Sequence, residues 1–335
     1  MTTQRWALSV CSLTAAMAWT AFSASAQSTA DPDAVLSRAR QALGGDAKLS
    51  AVKSFVATGH TRQVRGEMLV PIEFEIDCEL PDKYVRRDEI PAQESGPTSA
   101  GFNGDGLVQM PPPPPPSAQP AAPARGPGAA GGRAGAPLSP EAARLARVNG
   151  LKQDFAKLTL GMFGASFDGY PLTFTVAGRA ESPQGTADVL DVKGAGGFSI
   201  RLFVNTDTHL PLLVSWTTPV TPANIVLVAP GQPKPTTLPP SAIVVEAPAP
   251  PDATAPQADK DAYTKAVQDL RAKTLAAAKP IANYLYYSDY RDVGGGVLFP
   301  FRLRKAIGAD TIEQTDFDGF KLNARIDAKK FEVVK

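Results

Sequence analysis

Segment 67–80 alternates apolar and acidic residues over its whole length. Its even positions carry the apolar side chains Met68, Val70, Ile72, Phe74, Ile76, Cys78 and Leu80, and most of its odd positions carry Glu or Asp. A two-residue repeat places one set of side chains on each face of a β-strand and cannot be helical. Long strands with one wet face are typical of large antiparallel sheets and barrels.

The rest of the chain shows the same preference for strands, with a few helices between them. Further strands are predicted at 54–64, 84–87, 172–176, 190–192, 198–204, 210–216, 284–291 and 297–305, with weaker ones at 311–317 and 319–324. Helices are predicted at 31–43, 141–162 and 259–279. Asp31 and Ser139 precede the first two helices and are good N-cap residues, each followed by Pro. The chain is therefore predicted to be mainly β.

Proline is concentrated in two tracts. Eleven of the 32 prolines fall in window 111–140, and eleven more fall in 219–256. Such segments stay extended and do not join a packed core. We expect a single β domain over 27–335, interrupted by disordered segments at 111–138 and 219–258.

The first 26 residues have the pattern of a secretory signal peptide. Arg5 is followed by an apolar run, and Ala24-Ser25-Ala26 is a small-x-small cleavage site. Removing this segment leaves equal numbers of basic and acidic residues, which argues against a nucleic-acid partner. Cys78 then remains as one cysteine without a partner, and its strand position predicts a buried small hydrophobe.

Residues that support catalysis or metal binding are sparse. The two histidines, His60 and His209, are far apart in sequence, and no metal-ligand, nucleophile-elbow or phosphate-loop motif occurs. Glu73, Glu75 and Asp77 could form an acid pair in space, but their strand pattern favours a solvated face. We expect no enzyme activity, no cofactor and no metal.

The tyrosines cluster in one strand. Four of the seven are Tyr284, Tyr286, Tyr287 and Tyr290. Both faces of this strand are therefore apolar, which fits either plain core packing or a curved sheet with a hollow on its concave side.

Three C-terminal segments resemble the LolA/LolB-like proteins, many of them outer-membrane lipoprotein-sorting proteins. The resemblance lies in 287–294, in 299–302 and in 323–327 with Phe331, and extends more weakly to 35–58, 101–106 and 207–211. It implies a curved antiparallel sheet that forms an unclosed half-barrel, covered by helices, with an apolar cavity for lipid acyl chains. It also implies an arginine near the cavity mouth, and Arg62 and Arg65 lie in the corresponding region.

We therefore expect an exported periplasmic protein of a Gram-negative bacterium that binds a lipid acyl chain or a lipidated protein without catalysis. Contact with a membrane surface is compatible with this role. The predicted cavity wall comprises Phe55, Met68, Val70, Ile72, Phe74, Ile76, Phe174, Tyr284 and Tyr286. The alternative is an envelope interaction or stress-sensing module whose proline-rich tracts bind a partner protein.

Overall fold

A computed structural model describes most of the chain. The described residues are 31–66, 68–91, 93, 96–112, 139–182, 185–233, 235 and 238–334. The predicted signal peptide 1–26 and nearly all of the first proline-rich tract lie outside the described residues. Both remain predictions.

Four α-helices are present in the described chain. They are α1 (Pro32–Ala42), α2 (Asp46–Ala51), α3 (Pro140–Phe163) and α4 (Gln257–Ala277). The predicted caps are confirmed, since the Asp31 carboxylate accepts the N–H of Asp33 and the Ser139 hydroxyl accepts the N–H of Ala142.

Twelve strands form one open antiparallel sheet. The strands are β1 (Ser54–Arg65), β2 (Met68–Glu79), β3 (Lys83–Glu89), β4 (Thr98–Asn103), β5 (Gly106–Met110), β6 (Leu172–Ser182), β7 (Gly185–Gly194), β8 (Phe198–Asn205), β9 (Pro211–Thr218), β12 (Ile281–Asp292), β13 (Leu298–Ile307) and β14 (Asp310–Leu322). Their order is β5-β4-β3-β2-β1-β14-β13-β12-β9-β8-β7-β6, so that β5 and β6 are the edges and the sheet does not close. The predicted mainly β, unclosed architecture is confirmed.

The long strand predicted at 67–80 is β2. Ile72, Phe74, Ile76 and Cys78 are buried on one face, as the alternation predicts. Met68, at the beginning of the strand, is 67% exposed because β1 and β2 extend there beyond the packed core.

The middle of the sheet joins β1 to β14. Their register breaks between Thr58 and Gly59, opposite the extra residue Asp318 of β14. Gly59 is required at this irregularity, because a Cβ there would lie 2.3 Å from the carbonyl oxygen of Asp316. The bulge also explains why the sequence predicted two strands, 311–317 and 319–324, where the structure has one.

Helix α3 lies against the concave face of the sheet. It contacts β4 and β5 near one edge and β9 and β13 in the other half. One helix can touch strands so far apart in the order only if the sheet curves around it. At its C-terminal end, Phe163 packs within 6.5 Å of Phe55 and 5.1 Å of Phe299, ring centre to ring centre. This end of the concave side is solid core.

The second proline-rich tract differs from its prediction as a disordered segment. It contains two short strands, β10 (Ile225–Val228) and β11 (Ile243–Glu246), which pair in parallel. Helix α4 follows the tract, contacts β10, and buries none of its residues. In the described structure, α4 therefore does not cover the concave face.

The C-terminal residues 323–334 cross the outer face, the side of the sheet away from α3. Phe331 and Ile326 are buried there with Val85 and Val108. The Lys330 ammonium lies 2.8 Å from Asp77 and 2.7 Å from Glu75. Asp77, predicted to be on a wet face, is therefore buried and paired, because this segment covers it.

Candidate functional site

A cavity of about 330 Å³ lies between residues 151–158 of α3 and the concave face. Its apolar walls come from both halves of the sheet and from the helix, and include Ile76, Leu158, Trp216, Leu285, Leu303 and Phe317. Three cations and three anions also line it: Arg86, Lys157 and Lys305 with Asp88, Asp154 and Glu313. The cavity is thus apolar and rimmed by charges that sum to zero.

Arg86 is the most strongly held of these charged groups. Its Nε donates to Asp88 Oδ1 at 2.6 Å, and its Nη2 donates to the Thr61 hydroxyl at 3.0 Å. The guanidinium lies 4.4 Å from the ring centre of Phe74. Burial disfavours the charged form, but the carboxylates of Asp88 and Glu313 outweigh this effect and raise the pKa of Arg86.

Arg86 begins a row of hydrogen-bonded polar side chains that crosses the sheet from β3 to β14. The hydroxyls of Thr61 and Thr315, cross-strand neighbours on β1 and β14, are buried and 2.9 Å apart. One position further along the same face, Gln63 donates to Glu313 at 3.2 Å. This polar row crosses the cavity wall at the end away from the solid core around Phe55.

Lys157 and Trp216 form the opposite side of the cavity. The Lys157 ammonium lies 4.5 Å from the Trp216 ring centre and donates to Asp154 at 2.7 Å. The Lys157 carbonyl accepts the hydroxyl of Tyr287, which fixes this part of α3 to β12. Burial of that hydroxyl raises the pKa of Tyr287 well above its ordinary value.

The nine residues predicted for the cavity wall are dispersed in the structure. Ile76 lines the cavity. Phe55 and Phe74 face the same side but are packed among other aromatic rings, and Ile72 is buried. Phe174 packs partly buried against the main core, Val70 is half-buried, and Met68 is exposed at the end of the β1–β2 hairpin.

Tyr284 and Tyr286 lie on the outer face, and this placement corrects their assignment to the cavity wall. They pair with Ser215 and Leu213 of β9, while the intervening Leu285 faces the cavity. Arg304 lies 3.8 Å from the ring centre of Tyr286. The two-residue alternation puts both tyrosines on the face opposite Leu285, but it does not say which face is the concave one.

The two arginines predicted at the cavity mouth are also elsewhere. Arg62 lies on the outer face, where its Nη2 is 3.1 Å from Asp316. Arg65 is exposed at the end of β1 and donates to Gln63 at 2.8 Å. The arginine that lines the cavity is Arg86. In the sequence, Arg86 is two residues from the apolar Tyr84 in β3, so the two share a face. Val85, on the other face, is apolar as well, and the pattern alone therefore does not show which face of β3 is buried against the cavity.

Of the candidate catalytic groups, His60, Glu73 and Glu75 line one groove, and Asp77 and His209 lie elsewhere. His60 lies on the outer face, 3.4 Å from Asp318, beside an open groove with Glu73 and Glu75. His209 adopts a φ of 57° after the turn that leads into β9. Within the described residues, no group of three His, Cys, Asp or Glu side chains is placed to hold a metal ion.

None of the helices in the described part of the chain combines the length and hydropathy that a membrane span requires.

Solved structures similar to this one include two that carry the LolA or lipoprotein-sorting description. A LolA superfamily protein from Nitrosomonas europaea is 12% identical, with a TM-score of 0.45 over 90% of this chain and 98% of that chain. A domain assigned to outer membrane lipoprotein sorting in Vibrio parahaemolyticus is 7% identical, with a TM-score of 0.41 over 90% and 97%. A DUF1329 family protein from Desulfovibrio piger is 10% identical, with a TM-score of 0.41 over 90% and 98%.

No family model matches the sequence, and no curated protein matches it. The three structures are similar in architecture at low identity, and no activity is carried over from them.

Proposed function

We propose that this chain is an exported, periplasmic binding protein that holds an acyl chain of a lipid or of a lipidated protein in the cavity beside α3, without catalysing a reaction. The observation that carries this proposal is the wall built by Ile76, Leu158, Leu285, Leu303 and Phe317 around open space. Apolar side chains around open space lack packing contacts, and closing the space would stabilise the fold. Space that stays open there therefore favours a ligand-binding role.

The size of the cavity suits a small amphiphile. Its volume of about 330 Å³ falls at the lower end of the range for small-molecule sites, about 300–1,000 Å³. Each methylene that leaves water contributes about 0.8 kcal/mol, so that about ten methylenes supply roughly 8 kcal/mol before ordering costs. Burial of one chain is therefore sufficient for binding, and no reactive group is required.

Trp216 offers a direct test, because it lines the cavity and is the only tryptophan after residue 26. We would titrate the protein, lacking residues 1–26, with dodecanol and with dodecanol that carries a terminal bromine. Binding in the cavity should shift Trp216 emission to shorter wavelength with the first probe and quench it with the second.

A matched pair of variants locates the binding. Ala100 lines the cavity, and Ser99 is its neighbour on the opposite face of β4. Ala100→Phe should fill the cavity and weaken dodecanol binding at least tenfold, whereas Ser99→Phe should leave it unchanged. Unaltered Trp216 emission with both probes, together with no lipid in an organic extract of the purified protein, would refute the proposal.

A further inference from the structure

We infer that the amphiphile bound in this cavity carries an acidic head group, and that Lys305 is the residue that binds it. The inference rests on the proposed function and names the chemical class of its ligand. The cavity brings three cations together, and two of them already have an anionic partner at short distance.

The charged groups of the cavity wall are not all paired. Arg86 is bound to Asp88 at 2.6 Å, and Lys157 is bound to Asp154 at 2.7 Å. Lys305 makes no ion pair and no hydrogen bond with any described residue, although its cross-strand neighbour on β14 is Glu313. A half-buried ammonium without an anionic partner, next to apolar walls, is unfavourable until an anion arrives.

Local backbone geometry explains why Lys305 and Glu313 do not pair. The register of β13 and β14 shifts between Lys305 and Ala306, and such bulges change the direction of neighbouring side chains. The Glu313 carboxylate accepts from Gln63 at 3.2 Å and faces the positive field of Arg86. Glu313 is therefore already partnered on the side away from Lys305.

The apolar and polar parts of the wall also give the ligand an orientation. Leu285 and Leu303 flank Lys305, the first as its cross-strand neighbour on β12 and the second two residues earlier on β13. Phe317 and Leu158 continue the apolar surface toward α3 and the solid core. An acyl chain along this surface would place its head group beside the Lys305 ammonium.

The test compares ligands that share one chain and differ in head group. Binding of dodecanoate, dodecyl phosphate, dodecanol and dodecylamine would be followed through Trp216 emission at low and high salt. We expect at least one of the two acidic probes to bind about tenfold more tightly than dodecanol, the value of one charge-assisted hydrogen bond. We expect dodecylamine to bind more weakly than dodecanol, and the acidic preference to shrink at high salt.

Variants assign this preference to one residue. Lys305→Gln should abolish the preference for the acidic probes, measured within that variant as the ratio of the Kd of dodecanol to the Kd of each acidic probe. Lys305→Glu should reverse it in favour of dodecylamine. Lys321→Gln, which changes an exposed lysine on the outer face of β14, should have no effect.

The outcomes separate this inference from the proposed function. If dodecanoate binds most tightly, the ligand is a carboxylate amphiphile; if dodecyl phosphate does, it is a phosphorylated lipid; both results support the acidic class. Equal binding of all four probes, or a preference that survives Lys305→Gln, would overturn the head-group assignment and leave acyl binding intact. If none of the four probes binds, both the head-group assignment and the proposed acyl-chain binding are wrong.

Discussion

Arg86 links β3 to β1 within the cavity wall, and its removal gives a quantitative test of the site's geometry. Replacement by alanine deletes the bonds to Asp88 and Thr61 and the stacking on Phe74. It also leaves the Asp88 carboxylate without its cation. All of these lost contacts lie close together on the concave face.

The magnitude follows from these contacts. A hydrogen bond to a charged group contributes about 1.5–3 kcal/mol, and a cation–π contact about 0.5–2 kcal/mol. The side chains of Arg86 and Asp88 are 24% and 36% exposed, so that water compensates for part of the loss. We therefore expect Arg86→Ala to lower the free energy of unfolding by about 3 kcal/mol, which at roughly 2–4 °C per kcal/mol lowers the Tm by roughly 6–12 °C.

The control lies one residue further along β3. Arg87 points to the outer face, where it is 53% exposed and 3.8 Å from Glu89. Arg87→Ala should change stability by less than about 0.5 kcal/mol. Thermal unfolding followed by far-ultraviolet circular dichroism measures both variants. Equal Tm losses for the two would refute the placement of Arg86 in a buried polar row.

Two further pairs of variants test the packing of α3 and the charges of the outer face. A Cβ at Gly161 would lie 2.5 Å from the Tyr287 ring, so Gly161→Ala should destabilise by about 1–3 kcal/mol, whereas Gly150→Ala, with open space around it, should stabilise by about 0.5–1 kcal/mol in the same thermal assay. Asp316 loses hydration, but hydrogen bonds from two arginines and a glutamine hold its pKa below the ordinary value of 3.8. The stability that these bonds contribute is therefore fully present above pH 3.8 and is lost as the pH falls through the lowered pKa. Asp316→Asn should therefore flatten the fall of Tm as the pH is lowered below 3.8, and Asp318→Asn, at an exposed position, should not; parallel curves for wild type and Asp316→Asn would contradict this.

Local sequence patterns predicted the elements of this fold well where a single face is buried. The period of β2 places Ile72, Phe74 and Ile76 inward, and the structure agrees. Ser139 marks the beginning of α3 because a side-chain cap is a local interaction. In each case the information lies within a few residues of the element.

The site was harder to predict because it depends on contacts that are distant in sequence. From the sequence alone, Val85 is as good a candidate for the concave face as Arg86, because Val85 is apolar. In the structure Val85 lies on the outer face, where the C-terminal segment buries it. Tyr287 and Tyr290 are three residues apart and would lie on opposite faces of a regular strand. Asp289 between them adopts a φ of 58° and interrupts the alternation of β12, so that both tyrosines donate to carbonyls of α3. Lys305 can be recognised as a candidate for binding a ligand only when its neighbours on β12 and β14 are known.

The pairing of β1 with β14 has a consequence for how the sheet is assembled. β1 gains one neighbour, β2, as soon as the first 79 residues are available, but its other neighbour begins only at Asp310. The two halves of the sheet can therefore pair only after nearly the whole chain has left the ribosome, and such long-range pairing is slow. A chain that stops before Asp310 would have a new open edge at the centre of its sheet, next to the cavity, where unpaired backbone groups invite aggregation.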